Sequence, residues 1–409
     1  MKRDAPLRIG YLISRYPAVS LTFILDEIVR LRRSGIELFV SSINSPDRDF
    51  DSLTDIERKE AQQTYYVKDH GFTGALKSFF LVAITRPLGL LKGLIYSIKL
   101  ARFDFYKLYK NLMYLIEAMM VGIWMQERRL NHIHIHFASQ AANVGLILSK
   151  IFPYSFSMTV HGPDEFYEVG YYNLSEKVAS AKFICCIGYY ARSQLMQLSP
   201  SDHWEKFEIT PLGVDPQKFI PSPKGEIRPA VNILCVGRLV NTKGQHLLLC
   251  AAQVLEHSGR KLNVSFVGDG PEKENLLAKM GQMNLKKSVK FLGGLNHDQV
   301  VKELQKTDIF VLPSFAEGIP VALMEAMAME IPCVSSNITG VPELIRDQVD
   351  GYLITSSNVD ELTEAIRKLI DDSELRKKIG KSARNRIIEK YNIDKNINIL
   401  LNVFSDRVL

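Results

Sequence analysis

Short apolar runs recur along the chain, each closed by glycine or polar turn residues and most followed by a stretch of helical periodicity. Leu7 to Ile13 is the first run, Thr22 to Ser34 the helical stretch behind it, and Glu37 to Ile43 the next run. His132 to Phe137 reads as a strand leading to a helix from about Ala141 to Lys150, and Phe156 to Val160, Phe183 to Ile187 and Phe207 to Ile209 continue the series. Apolar runs of four to eight residues alternating with helices predict a doubly wound parallel sheet, class α/β. A second series opens at Val231. Before it, residues 211–223 hold four prolines in thirteen positions, the clearest linker signal in the chain. The pattern divides the chain into a first α/β domain over 1–212, a linker over 213–230 and a second α/β domain over 231–384. Residues 385–409 follow as helix.

One segment exceeds what a minimal first domain needs. From about 74 to 128 the chain reads as a helical insertion, with Phe79, Phe80, Leu90, Leu91, Leu94, Ile95 and Ile98 apolar. Lys77, Arg86, Lys92, Lys99, Arg102, Lys107 and Lys110 face only Asp104 and Glu117 as counter-charges. No window of about 20 residues is free of charge, which argues against a membrane span. An apolar face edged by lysines, arginines and tyrosines instead suits the surface of an anionic membrane. The competing reading is a helical insertion packed wholly on its domain.

The candidate chemistry of the second half sits where strands end. Val231 to Val236 runs into Gly237-Arg238, with Lys243-Gly244 following; two cations there suit a pyrophosphate. A second strand ends in Gly268-Asp269-Gly270 and a third in Gly293-Gly294-Leu295. After the apolar run Ile309 to Leu312 comes Glu317-Gly318-Ile319-Pro320, then a helix over Val321 to Met329 carrying Glu325 in its second turn. Pro320 fits the first helical turn, and the helix start offers unpaired N–H groups and a positive dipole end to phosphate. Two carboxylates, one ahead of the helix and one in it, suit a ligand with hydroxyls at both ends.

Taken together, Gly237-Arg238, Lys243-Gly244, Gly268-Asp269-Gly270 and the pair Glu317 and Glu325 resemble retaining glycosyltransferases of family 4. The resemblance implies the GT-B fold, two Rossmann-like domains facing across a cleft, with the last helices crossing back onto the first domain. It also implies a nucleotide-sugar donor, UDP first and GDP second. Its diphosphate would lie on Arg238, Lys243 and the helix N–H groups near Gly318. Glu317 would meet the sugar, Glu325 the ribose, and Gly293 to Leu295 the base.

On the first-domain side, Phe156 to Val160 ends in His161-Gly162-Pro163-Asp164. In the resembled family a His-Gly here lines the reaction centre, so His161 joins Glu317, Arg238 and Lys243 as the catalytic set. Asp164 is placed to orient the imidazole, to touch the acceptor, or to cap the next helix. The loop after the first strand holds Ser20 and Thr22 within Pro17-Ala-Val-Ser20-Leu21-Thr22-Phe23. It is similar to the exopolysaccharide and colanic-acid branch, with Leu21 where that branch usually has Glu. Ser20, Thr22, His136, Gly162 and Asp164 are the acceptor-side candidates.

His132, His134 and His136 alternate, so a strand turns all three to one face. Their successive spacing of about 7 Å does not converge on one ion, and no Cys or acid nearby completes a set. Asp47-Arg48-Asp49 matches a metal-transferase DxD only formally and reads as a loop. The expectation is therefore no metal and no cofactor, the sugar nucleotide being a co-substrate. Fixed cations would stabilise the leaving diphosphate, with front-face attack and retention of configuration.

Composition changes the picture little. The 409 residues carry a net charge of +6 without a basic block, which excludes a nucleic-acid arm. Five cysteines without metal-type spacing read as reduced core thiols, and no signal-peptide core precedes the first strand. These point to the cytoplasm, with peripheral attachment to the inner face of the membrane. The acceptor implied is a saccharide or lipid-linked saccharide of bacterial polysaccharide or glycolipid synthesis. The alternatives are a GT-B-type epimerase or a non-catalytic scaffold of a polysaccharide assembly complex. A nicotinamide enzyme is disfavoured, because Ile9-Gly10-Tyr11-Leu12 lacks GxGxxG.

Overall fold

The computed structural model describes residues 7–222 and 229–408. The chain forms two compact units, Met1–Thr210 with Ile397–Leu409, and Pro211–Asn396.

The first unit is built on seven strands: β1 (Arg8–Arg15), β2 (Glu37–Asn44), β3 (Tyr65–Tyr66), β4 (His132–His136), β5 (Ser155–Val160), β6 (Ile184–Cys186) and β7 (Phe207–Ile209). They pair in the order β3-β2-β1-β4-β5-β6-β7, every pair parallel. Ile9, Tyr11, Leu12 and Ile13 are all fully buried, as a central strand covered by helices on both faces requires. The second unit holds β8 (Val231–Val236), β9 (Leu262–Val267), β10 (Val289–Phe291), β11 (Ile309–Leu312), β12 (Cys333–Ser336) and β13 (Gly351–Ile354). Their order is β10-β9-β8-β11-β12-β13, again all parallel, which is the Rossmann order. In each sheet the winding reverses beside the first strand, at β1/β4 and at β8/β11. Such switch points leave crevices at the carboxyl ends of the strands, where ligands bind.

Two boundaries differ from the sequence pattern. Residues 213–222 are not a loose linker. Val214 N–H bonds Tyr391 O at 2.9 Å, Ile393 N–H bonds Val214 O at 3.1 Å, and Phe219 is 2% exposed. Residues 223–228 of the expected linker lie outside the described residues. The return to the first unit begins at Ile397, not at 385, because the helix Ser373–Lys390 packs within the second unit. Within the helix Ile393–Val408, Phe404 is fully buried against Tyr11, His134 and Phe183, and Arg407 pairs with Glu208 at 2.5 Å.

The insertion is three helices, Gly71–Thr85, Pro87–Ala101 and Phe105–Glu127, between β3 and β4. Small residues four apart seat the middle helix on the helix Gln140–Ile151. A Cβ on Gly89 would stand 2.3 Å from Ile151 O, and one on Gly93 2.6 Å from Ile151 Cγ1. Ser97 closes the series by donating to Gly93 O, while Asn111 of the third helix donates to Ser97 O. The other faces stay open, with Phe72, Ile84 and Leu88 each more than 70% exposed. No single helix among the described residues is long and apolar enough to cross a membrane; Lys68–Thr85 and Pro87–Ala101 together bend by 118°.

Candidate active site

In the second unit the glycines let three strand exits crowd together. A Cβ on Gly268 would stand 2.0 Å from Gly237 O, and one on Gly270 2.3 Å from Leu239 O; both glycines have positive φ. Gly268 N–H in turn bonds Gly293 O at 2.9 Å. Gly244 packs as closely, its missing Cβ lying 2.1 Å from Pro313 O, and leads into the helix Gln245–His257. Gly293 and Gly294 face open space instead, so neither is there for packing.

Beside this backbone two of the expected polar groups meet. Lys243 Nζ bonds Glu317 Oε1 at 2.6 Å, and Ser314 Oγ donates to the same oxygen at 2.7 Å. Thr339 Oγ1 holds the Glu317 carbonyl, and Gly340 lets its loop pass within contact of Gly318 O. Lys243 and Glu317 therefore neutralise each other at the floor of the site. Arg238 is exposed and has no ion pair among the described residues, while its backbone carbonyl accepts Gln245 Nε2 at 2.8 Å. The helix after β11 runs Val321–Ala328, with Pro320 as its N-cap at φ −70° and ψ 122°. Pro320 thus stands just outside the first turn in which the sequence placed it, its ring fixing φ while extended ψ starts the helix one residue on.

Glu325 is buried and already engaged. Its Oε1 meets His297 Nε2 at 2.9 Å, and Lys218 Nζ meets His297 Nδ1 at 2.9 Å. An ammonium only donates, so Nδ1 accepts and Nε2–H donates to the carboxylate. Phe219 packs edge-on to the same ring at 5.7 Å. His297 and Lys218 escaped sequence reasoning; the one hint was a histidine two residues past Leu295.

In the first unit, β4 and β5 run in register, His132 opposite Ser155, His134 opposite Ser157 and His136 opposite Thr159. The histidines form a hydrogen-bonded ladder. His132 meets Ser155 and Ser157, each at 2.8 Å, and His134 meets Ser157 at 2.7 Å and Thr159 at 2.8 Å. All four ring nitrogens of His132 and His134 are so used. Burial drives the His132 pKa down to about 3 and that of His134 well below the usual value.

His136, an acceptor-side candidate, is fully buried, its ring behind His161. His136 Nδ1 meets His161 Nε2 at 3.1 Å, His136 Nε2 meets Glu27 Oε1 at 3.1 Å, and Tyr11 OH donates to the same oxygen at 2.7 Å. Burial first, and Glu27 second, keep Tyr11 protonated far above the ordinary phenol range. A carboxylate only accepts, so Nε2 of His136 carries the proton, and in the neutral ring Nδ1 accepts from His161 Nε2–H. The lone pair of His161 then lies on Nδ1, which is buried and has no partner among the described residues. Burial holds this imidazole neutral, its pKa well below the usual value.

Asp164 does not orient the imidazole: it is exposed at the start of the short helix Asp164–Tyr167. The acid at this turn is its neighbour. Glu165 accepts the backbone N–H groups of His161 at 2.5 Å, Gly162 at 2.9 Å, and Ala138. Burial raises its pKa to about 7 against those bonds and the charge of Lys177. Lys177, itself fully buried, holds the carbonyls of Ala138 and Ser139 at 2.6 and 2.7 Å. Glu165, Lys177 and Glu27 were missed. Ser20 is exposed in a short turn, and Thr22 is half-buried as the first residue of the helix Thr22–Arg33; neither side chain joins the His161 cluster. Asp47 accepts Val19 N–H at 3.0 Å and pairs with Arg48, a loop role.

Comparison with known proteins finds relatives of this chain. Residues 219–386 match the model of Glycosyl transferases group 1. The chain is 32% identical over 216 residues to an Escherichia coli UDP-Gal:alpha-D-GlcNAc-diphosphoundecaprenol alpha-1,3-galactosyltransferase, the match covering 50% of this chain and 55% of that one. It thus spans about half the length of that relative. It is 25% identical over 412 residues to the putative colanic acid biosynthesis glycosyltransferase WcaL of Escherichia coli K12, covering 94% and 96% of the two chains. Among solved structures, Anabaena HepE in complex with UDP-glucose superposes with a TM-score of 0.74 at 17% identity, covering 98% of this chain and all of that one. Residues 219–386 are thus similar to the glycosyltransferase group 1 family, and the chain shares the GT-B fold along its length.

Proposed function

We propose that the protein is a retaining, metal-independent glycosyltransferase of bacterial polysaccharide or glycolipid synthesis. It takes a sugar from a nucleoside diphosphate, UDP before GDP, and passes it to a hydroxyl of a saccharide or lipid-linked saccharide. The observation that carries this reading is the Lys243–Glu317 pair, its lysine half-buried and its carboxylate buried, beside exposed Arg238 and among glycines at the carboxyl ends of β8, β9 and β11. A diphosphate arriving there meets Arg238, recruits Lys243 from its carboxylate, and caps the N–H groups at the start of Val321–Ala328. Glu317, released from the lysine, turns its oxygens to the sugar hydroxyls. Glu325, steadied by His297, takes the ribose, and the open positions at Gly293, Gly294 and Leu295 leave room for the base. UDP is ranked first because the HepE neighbour was crystallised with UDP-glucose and the galactosyltransferase relative is named for UDP-Gal.

The neutral His161 presents Nδ1 as an acceptor for a sugar hydroxyl. Neither buried carboxylate beside His161 is free to act as a nucleophile, since Glu165 is consumed by three N–H groups and Glu27 lies behind His136, while Asp164 is exposed to solvent. Front-face attack follows, the leaving phosphate taking the acceptor's proton while fixed cations offset its charge. The open apolar faces of the insertion, among Lys77, Lys92, Lys99 and Lys107, support docking on the anionic inner face of the cytoplasmic membrane.

A thermal-shift panel of UDP-, GDP- and ADP-sugars tests the donor, because a ligand at 100 times its Kd adds about 2.7 kcal/mol of stability. UDP-sugars are expected to raise the melting temperature most. A flat response to every nucleotide sugar would refute the assignment.

A further inference from the structure

A second cavity opens in the first unit, at the carboxyl ends of β1 and β2. Its volume is ≈ 280 Å³, close to the lower end of small-molecule sites, about 300–1,000 Å³. Its lining is chemically mixed. Lys68 and Lys110 bring two ammonium groups, Asn44 an amide, Glu117 a carboxyl and Tyr109 and Met113 an apolar edge. Lys68 Nζ is steered by Asn44 Oδ1 at 2.8 Å, and Lys110 Nζ rests over the Tyr106 ring at 5.5 Å. Both cations act on Glu117, yet burial outweighs them and raises its carboxyl to about 7, so near neutrality it offers a proton as well as lone pairs.

Two further observations say what fits. The parallel sheet puts this cavity on the same edge as His161, which follows β5. The rim also continues the open apolar surface of the insertion: Tyr109 is 59% exposed and Met113 37%, next to Phe105 at 88% and Tyr106 at 59%. Paired ammonium groups bind phosphate, a carboxyl and an amide bind hydroxyls, and an exposed aromatic rim suits acyl or prenyl chains at a membrane surface.

We propose that this cavity, lined by Lys68, Lys110, Asn44 and Glu117, binds the sugar-phosphate headgroup of a membrane-anchored acceptor, with Tyr109 and Met113 against its lipid. The inference rests on the transferase reading and names the acceptor's chemistry. Lys68 and Lys110 take the phosphate, and Glu117 and Asn44 take sugar hydroxyls.

The test is co-sedimentation of the full chain with zwitterionic vesicles, plain or doped with a prenyl-diphosphoryl sugar, alongside titration with soluble glucose 1-phosphate. Doped vesicles are expected to bind at least tenfold tighter than plain ones, and Lys68→Glu/Lys110→Glu to lose that gain. Glu117→Gln, which keeps the volume, is expected to weaken binding several-fold, and circular dichroism confirms that each variant is folded. Glucose 1-phosphate binding as tightly as doped vesicles would overturn the membrane-anchored source. Equal binding of plain and doped vesicles, or full binding by the double variant, would overturn the proposal. The transferase reading is judged separately, by UDP-sugar binding of the wild type, so the two can fail independently.

Discussion

His161 is held by a relay that starts 150 positions earlier in the chain, at Tyr11, and passes through Glu27 and His136. Each partner has one role that the next must complement, so the tautomer of His161 is set by chemistry rather than by solvent. Nitrogen-15 NMR of labelled histidine should find Nε2 of His161 protonated and Nδ1 bare from pH 6 to 8; a proton on Nδ1 would break the relay. The ladder behind it makes a second prediction. His132 and His134 are neutral when folded, with pKa values below those of the unfolded chain, so the unfolded state binds more protons once pH falls below about 6.5. Stability is therefore lost as pH falls from about 6.5 towards 3, by roughly 1.4 kcal/mol per pH unit for each such histidine. Glu165 works the other way, its folded pKa of about 7 lying above the unfolded one, so its contribution declines as pH rises from about 4.5 to 7. Comparing urea unfolding of wild type and His134→Gln across pH 4 to 6 isolates the histidine, and the variant should show the shallower pH slope.

At the scale of elements, the helical insertion is both seated and exposed. Gly89, Gly93 and Ser97 mark the face that meets Ile151, and their spacing of four places them on one stripe. Gly93→Val forces a side chain into Ile151 and Leu115, and overpacking of this kind costs about 1–3 kcal/mol. A drop of several degrees in melting temperature is expected; an unchanged value would mean that the middle helix is not seated as described. How much of this was legible in sequence follows from range. The strands of both sheets stood out because central parallel strands are apolar on both faces, whereas β3 and β13 lie at sheet edges and β12 ends in two serines, and none of the three was read. The strand-end glycines with Arg238, Lys243, Glu317 and Glu325 were legible because each sits beside its own strand or helix start. Glu27 was not, since it meets His136 across 109 positions, and neither was His297, whose only local sign was its place after Leu295. Asp164 drew attention by standing three residues after His161, but the turn aims Glu165, one residue on, at the backbone.

For the whole molecule, a net charge of +6 is small, and what matters is where the cations lie. Lys77, Lys92, Lys99 and Lys107 surround exposed Phe79, Leu91, Ile95 and Phe105 on the insertion. Binding to phosphatidylglycerol vesicles should exceed binding to phosphatidylcholine vesicles and weaken as salt rises, with a remainder from apolar insertion. Equal weak binding to both lipids would detach the insertion from any membrane role. The central claim, that the second unit activates a sugar nucleotide, is tested most directly by turnover of the donor in Arg238→Ala and Lys243→Ala. The measurement is nucleotide diphosphate released from the best UDP-sugar of the panel, on variants whose circular dichroism matches wild type. Turnover should fall by about two to three orders of magnitude in each, the scale set by losing one group that stabilises transition-state charge. Near-normal release from either variant would contradict the account.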